Sequence, residues 1–394
     1  MPESTRPRLG PEDEELEQEE EVWEEEGGPP APDDDDLDLD VEDQELEDEE
    51  EAWEGEGGAP ADRDNDDWED DEDEELEAEE EAWEEEGGAP ALLLIPEGFR
   101  SGFVAVVGRP NVGKSTLVNA LVGQKVAIVS SKPQTTRRRL LGVRTADASQ
   151  IIFVDTPGIH KPFHKLGEFM VDEAMQSIPD ADVVVLVVDV ADRPRDEDRD
   201  IAALLREKAA APVVLALNKA DAARPQYLQE NYDAYAALVP GAAEMLVSAR
   251  RGDNLDRLVA LVEARLPEGP LYFPADQVTD QSEQLVAAEL IREAVLHLTE
   301  AEVPHSVAVA IQEWQDRGPN LTYIDATVMV ERDSQKAIVI GKGGSMLREI
   351  GRRARQEIEA MLGRKVFLEL FVKVREDWRR DPRQLRRLGF APEA

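Results

Sequence analysis

The residues with the most definite chemistry stand at Gly108, Arg109, Pro110, Asn111, Val112, Gly113, Lys114 and Ser115, with Thr116 next. They fit the pattern G-x-x-x-x-G-K-[ST]. Gly108 and Gly113 admit backbone conformations and close approaches that a side chain would block. Successive amide N–H groups can then point at phosphate oxygens where a helix begins, and the helix dipole favours an anion there. In this pattern Lys114 reaches the β- and γ-phosphates of a nucleotide, and the Ser115 hydroxyl binds magnesium. The apolar run GFVAVVG before the loop reads as a buried strand, and TLVNALVG after it as a helix. A chance match in a glycine-containing turn would lack that context.

Three further clusters each follow an apolar run. Asp155 closes IIFVD and precedes Thr156, Pro157 and Gly158. A carboxylate there is placed to act on magnesium through its shell, and the Gly158 N–H can sense a γ-phosphate. Asn218, Lys219 and Asp221 follow VVLAL. The Asp221 carboxylate can accept from both the ring N–H and the amino group of guanine, whereas adenine offers no such pair of donors. Ser248 and Ala249 follow the last run, where a backbone N–H can reach the guanine O6. The residue after Gly158 is Ile159, where Ras-like proteins carry a glutamine that orients the attacking water.

A second chemistry lies near the C-terminus. Gly341, Lys342, Gly343 and Gly344 form a G-x-x-G turn, read here as following a strand (KAIVI) and opening a helix. Such a turn lets a nucleic-acid backbone approach a helix N-terminus. Lys342 can neutralise a phosphate. Arg348, Arg352 and Arg355 share a face of the following helix distinct from the stripe of Ile350, Ala354, Ile358 and Met361. Residues 336–390 hold 15 Lys and Arg against 7 Asp and Glu, a local net of +8 that suits a polyanion. Glu349 and Glu357 could instead balance the arginines as a solvated surface. The coincidence of turn, helix and charge favours RNA.

These sites need elements to hold them. The buried runs alternate with helix-length amphipathic stretches such as IAALLREKAA, which predicts an α/β fold: a doubly wound, mostly parallel sheet. The proline-rich LPEGPLYFPADQ reads as a linker. Beyond it the order is helix, strand, strand, helix, strand, a smaller α+β domain that ends in the alternating strand KVFLELFVKV. The expected organisation is an acidic tail over 1–91, a nucleotide domain over 92–267, a linker over 268–279 and an RNA-binding domain over 280–394.

The net charge of −46, spread evenly, would forbid a polyanionic partner, but it is unevenly placed. Residues 1–90 hold 46 of the 89 acids and only 3 of the 43 bases, a net of −43; the remainder is −3. The tail repeats itself, with Trp23, Trp53 and Trp83 at intervals of 30. Each unit has too few apolar residues to offset the entropy of ordering, so the tail is expected to be disordered. There is no cysteine, which excludes disulfides and cysteine-bound zinc. The N-terminus has no apolar core and is not expected to be a signal peptide, and no run reaches the length of a membrane span. The expected location is cytoplasmic.

From about residue 100 to the C-terminus the chain resembles the Era GTPases, on the strength of GRPNVGKST, QTTRRR, DTPGIH, NKAD, SA, the GKGG motif and the ending FVKVREDWRRDPRQLRRLGF. The resemblance implies a P-loop GTPase domain followed by a type II KH domain, with GTP or GDP and magnesium as ligands. QTTRR at 134–138 corresponds to the family's first switch. A threonine there, Thr136 first with Thr135 as its neighbour, would join Ser115 and Asp155 around magnesium in the GTP state, and the sequence alone does not choose between the two. Asn111 matches the residue by which some related GTPases hold a potassium ion, which could assist hydrolysis where Ile159 cannot. The implied partner is 16S ribosomal RNA near its 3′ end, within the small ribosomal subunit, whose maturation the family assists. The resemblance also implies peripheral contact with the inner face of the cell membrane, which the acidic tail would oppose on anionic lipid. DNA is not expected as a partner, and the protein is expected to be a monomer. The alternative to a turning-over GTPase is a nucleotide-gated RNA-binding scaffold with negligible turnover.

Overall fold

The computed structural model describes residues 96–390 except 133 and 160–163. The expected tail over 1–91 lies outside the described residues. The first part of the fold is a six-stranded sheet of order β2-β3-β1-β4-β5-β6. Its strands are β1 (Arg100–Val107), β2 (Leu140–Ala146), β3 (Ser149–Asp155), β4 (Val183–Asp189), β5 (Val213–Asn218) and β6 (Ala243–Leu246). All neighbours pair in parallel except β2 with β3. The antiparallel strand β2 was not among the expected runs, because RLLGVRT is partly polar and sits at the sheet edge.

Every residue of β4, VVVLVVD, is buried, which requires helices on both faces. Val104 and Val106 of β1 pack against helices α1 (Lys114–Val122) and, later in the chain, α5 (Leu255–Glu263). Ala105 and Val107 face the other way, towards α3 (Asp196–Lys208) and α4 (Pro225–Ala236). Helix α2 (Lys165–Gln176) precedes these in the chain. Because β1 lies between β3 and β4, the carboxyl end of β1 opens at a change of strand order, where α/β sheets bind ligands.

The second part is a three-stranded sheet of order β7-β8-β9. Helix α6 (Glu283–Leu298) and a short α7 (Val303–Ser306) lead into β7 (Ala308–Asp316) and β8 (Leu321–Val330), which pair antiparallel. Then come α8 (Asp333–Ile340), α9 (Ser345–Leu362), β9 (Lys365–Val374), parallel to β8, and α10 (Pro382–Arg387). Helices α6 and α9 cover one sheet face, with Ile291, Val295, Ile350, Ala354 and Ile358 packed on Ile324, Ala326, Val328 and Val366. The stretch KAIVI before GKGG is a helix, not the expected strand. Its β-branched residues favour a strand locally, but Gln335 Oε1 accepts from the amides of Glu331 and Arg332 at 2.9 and 3.2 Å where the helix starts, and Val339 buries into the common core. Tertiary packing overrides so weak a propensity.

The two parts meet. Trp378, Leu385 and Phe390 pack with Ala308 and Met329 on one side and with Leu166 and Met170 of α2 on the other. Trp378 is fully buried, and its indole N–H donates to the Ser306 carbonyl at 2.8 Å. Truncating such a side chain to Ala costs about 3–5 kcal/mol. The connecting segment is also tied down. Gly269 N donates to Phe99 O at 3.1 Å, and Val143 N to Val278 O at 2.8 Å. The amides of Tyr272 and Phe273 donate to Gln150 Oε1 at 2.8 and 3.0 Å, and Leu141 N to Asp280 Oδ1 at 3.0 Å.

Candidate functional site

The loop from Gly108 to Gly113 joins β1 to α1, and Lys114 opens the helix almost fully buried. Its ammonium donates to the carbonyls of Gly108 at 3.1 Å and Arg109 at 3.2 Å. Burial pulls its pKa down to about 8, against the opposing charge of Asp155. A lysine held only by neutral carbonyls in a desolvated place favours a nearby anion. Arg109 turns inward, where its Nε meets Asp198 Oδ2 at 3.1 Å. Pro110 and Val112 shape the loop; Val112 is fully buried, and Thr156 donates to the Val106 carbonyl at 2.8 Å beneath it. Gly158 follows Pro157 and lies so close to the loop that an added Cβ would stand 2.7 Å from Pro110 N. Ile159 donates from its amide to Gly108 O and packs its side chain at the sheet core, so it offers nothing to a water.

The residues after β5 divide their work. Asn218 donates to Val112 O at 2.9 Å and accepts from Ala249 N at 3.0 Å, tying the phosphate loop to the loop after β6. Gly113, at φ 98°, must be glycine partly for this reason, since a Cβ would stand 2.5 Å from Asn218 Nδ2. Lys219 bridges Asn111 O and Asp189 Oδ2, each at 2.7 Å. Asp221 remains exposed and accepts from the Ser248 hydroxyl at 2.6 Å. Asp189 is a residue that sequence reasoning missed; its position as the last residue of VVVLVVD, level with the other site-bearing strand ends, was the available signal.

Ser115, Thr136 and Asp155 come together. Ser115 Oγ and Thr136 Oγ1 are 2.8 Å apart, and Thr136 Oγ1 is 3.5 Å from Asp155 Oδ2. Thr135 faces elsewhere, its hydroxyl donating to Lys132 O at 2.7 Å. Asp155 is fully buried, and its Oδ1 has no hydrogen-bond partner. Burial lifts its pKa to about 6, against the pull of Lys114, Ser115 and Thr136. A buried, under-satisfied carboxylate beside two hydroxyls is a set of hard oxygen donors that suits magnesium. Asn111, at φ 65°, reaches across the same cleft to donate to Ser131 O at 3.0 Å. Thr116 is on the first turn of α1 and lines the cleft with Lys114 and Ser115.

The GKGG residues form a single 3₁₀ turn between α8 and α9. Gly341 caps α8 at φ 70° and ψ 169°, where a Cβ would stand 2.7 Å from that of Met346. Lys342 and Gly343 are exposed at the tip. Gly344, Arg348, Arg352 and Arg355 line one groove with Phe367 and Leu370 of β9. Arg352 is partly satisfied by Glu349, at 2.8 and 2.5 Å. Phe367 was not among the expected site residues. It stands on the outward set of an alternating strand, about half exposed, which was the signal available.

Known proteins match both parts. The family model described as 50S ribosome-binding GTPase matches residues 103–219, and that of the KH domain matches 302–379. With the site above, they define a P-loop GTPase that carries a KH domain. The GTPase Era of Heliobacterium modesticaldum is 51% identical over 294 residues, covering 75% of this chain and 98% of that protein. That of Geotalea uraniireducens is 48% identical over 292 residues, 74% of this chain and 98% of its own length. The crystal structure of Era with MgGDPNP and nucleotides 1506–1542 of 16S ribosomal RNA aligns with a TM-score of 0.72 at 44% identity, covering 75% of this chain and 100% of that one. A tyrosine-to-alanine variant of Aquifex aeolicus Era bound to GDP·AlF4⁻ gives 0.71 at 43%, with the same coverage. The chain belongs to the GTPase Era family and is a GTP-hydrolysing enzyme.

Proposed function

We propose that this GTPase is a nucleotide-controlled binder of 16S ribosomal RNA that assists maturation of the small ribosomal subunit, acting as a monomer. The proposed organisation is a nucleotide domain over 92–267, a connecting segment over 268–279 and an RNA-binding domain over 280–394. The membrane contact that the family resemblance implies is proposed as peripheral, since among the described residues no helix is long and apolar enough to cross a bilayer. The observation that carries the reading is that a phosphate loop with its Ser115–Thr136–Asp155 cluster and a GKGG turn with its arginine groove share one folded body.

In this reading the amides of 108–113 and Lys114 bind the phosphates, and Asp221 with the Ala249 amide selects guanine. Ser115, Thr136 and Asp155 would hold magnesium, which would supply neutralisation of the phosphate charge. Hydrolysis is attack of water on the γ-phosphorus. The bond to the β–γ bridging oxygen breaks, GDP leaves with its electrons, and the water protons pass to the released phosphate. Ile159 cannot orient that water; Asn111 would be the residue to hold a potassium ion, which would supply positive charge beside the phosphates. Lys342, Arg348, Arg352 and Arg355 hold the RNA backbone as it passes Gly341, Gly343 and Gly344.

The test is binding of the full chain to an RNA of the 16S 3′ end, with GDP and with a non-hydrolysable GTP analogue, together with phosphate release in potassium and in sodium. We expect RNA affinity to differ between the nucleotides and turnover to be faster in potassium. Equal affinity in both states would overturn nucleotide control, and equal rates would remove the potassium assignment alone.

A further inference from the structure

Thr136 is gripped on both sides by residues from the far end of the chain. The carbonyl of Thr135, just before it, accepts from the Arg292 guanidinium on α6. Arg137, just after it, sends its guanidinium into the second part of the fold. There it donates to Val307 O at 2.6 Å and to Pro304 O and His305 O at 3.4 Å each. It also stacks over the ring of Trp378 at 5.7 Å. Both arginines are buried, Arg137 to 2% exposure and Arg292 to 1%.

These contacts are costly for mere adhesion. Arg137 meets carbonyls and no carboxylate, and its Nε has no partner; Arg292 is paired with Glu289 at 2.5 Å, yet its Nη1 has none. A buried guanidinium left partly unsatisfied adds little net stability and is often bettered by an apolar side chain. The same two parts are joined more cheaply elsewhere, where the half-exposed Lys125 bridges Glu293 at 2.6 Å and Glu357 at 3.0 Å. What distinguishes the two arginines is position: together they fix the main chain on each side of the one threonine that faces Ser115 and Asp155.

We propose that Arg292 and Arg137 are positioning residues for Thr136, so that the RNA-binding domain itself holds the switch threonine where the GTP state needs it. They touch neither nucleotide nor metal and act through the backbone they grip. The proposal rests on the reading that Thr136 serves the magnesium site. It makes the GTP state and the seating of the second domain one event: releasing α6 frees Thr136, and drawing Thr136 towards the phosphates tightens the hold on α6 and on residues 304–307.

The experiment measures affinities of the full chain for GDP and for a non-hydrolysable GTP analogue, with magnesium and with chelator. Thr136→Ala tests the underlying reading: it should abolish most of the magnesium-dependent preference for the GTP analogue, and if it does not, the site assignment fails before the proposal is reached. Given that loss, Arg292→Met should lower the same preference about tenfold, the usual scale for a charged hydrogen bond. GDP affinity should stay within about twofold. Arg292→Lys, which keeps the charge and a donor, should lose only about threefold. Lys125→Gln removes the other bridge between the parts and should leave the preference unchanged. If Lys125→Gln lowers it as much as Arg292→Met, general docking is responsible and the proposal is overturned. Should Arg292→Met fail to fold, Arg292→Lys and Arg137→Lys carry the test; an unaltered preference in both overturns it equally.

Discussion

Lys114 and Asp155 are buried at the centre of the candidate nucleotide cleft, whereas Arg348, Arg352 and Arg355 stand exposed along the candidate RNA groove, with Lys342 exposed at the tip of the turn beside it. The first pair works in a low dielectric, with its neighbours already tied by Asn218 and Lys219. The second set presents a field summed over exposed side chains in water. Buried charges interact strongly, feel salt weakly and fail when a single group is removed. Exposed charges share the task, are screened, and fail by degrees.

That contrast can be broken at several points. Lys114→Ala should reduce multiple-turnover phosphate release by about a thousandfold, as loss of a preorganised phosphate clamp does, and raising salt should change that factor little. A loss that shrank with salt would place Lys114 among the screened charges. Gly344→Asp sets a negative charge in the RNA groove, and affinity for the 16S 3′ end should fall on the order of a hundredfold at low salt. Turnover of the free protein should stay unchanged, because the left-handed φ of 75° strains only the turn and an added Cβ meets only Arg348, at 3.4 Å; Gly344→Asn serves as the control that keeps the strain and omits the charge. Retained RNA affinity would move the groove elsewhere.

Asp221→Asn tests the exposed rim of the nucleotide cleft. It replaces a charged two-point contact and should weaken GTP binding by at least ~1.5 kcal/mol, read by titration against a fluorescent GTP analogue. An unaltered affinity would remove Asp221 from base recognition. The smallest effect is expected on the arginine face. Arg348→Ala should weaken RNA binding about threefold and reduce the salt slope by about one. Arg352→Ala should do less, because Glu349 already holds that guanidinium. The reverse ranking would show that the Glu349 pair opens when RNA binds.

The phosphate-loop pattern and the clusters at Asn218–Asp221 and Ser248–Ala249 stood out in the sequence because the chemistry expected of them dictates residue type: only certain backbones admit phosphate, and only a carboxylate matches guanine's paired donors. The turn at 341–344 was legible for the same reason. The helix before it was not, since IVI carries a strand propensity that only the packing of Val339 reverses. Nor could the sequence decide between Thr135 and Thr136, adjacent hydroxyls whose facing is set by the chain around them. The grip of Arg137 and Arg292 depends on residues 157 to 170 positions apart in sequence, and no local pattern encodes such a meeting. Arg137 lay inside the recognised QTTRRR, yet its identity alone did not say which way it would turn.

The hydrogen bonds that strap residues 269–280 along the nucleotide domain set the kind of motion open to the rest. A free twelve-residue linker would let the second domain wander through roughly 20 Å. With Gly269, Tyr272, Phe273, Val278 and Asp280 each fastened to Phe99, Gln150, Val143 or Leu141, slack begins only near Ser282, where α6 starts. The connecting segment thereby adds no free length of its own between the two parts, which are also held together by the packing of Trp378, Leu385 and Phe390 on Leu166 and Met170. Arg292, on the third turn of α6, therefore stands close in sequence to the point where the fastening ends.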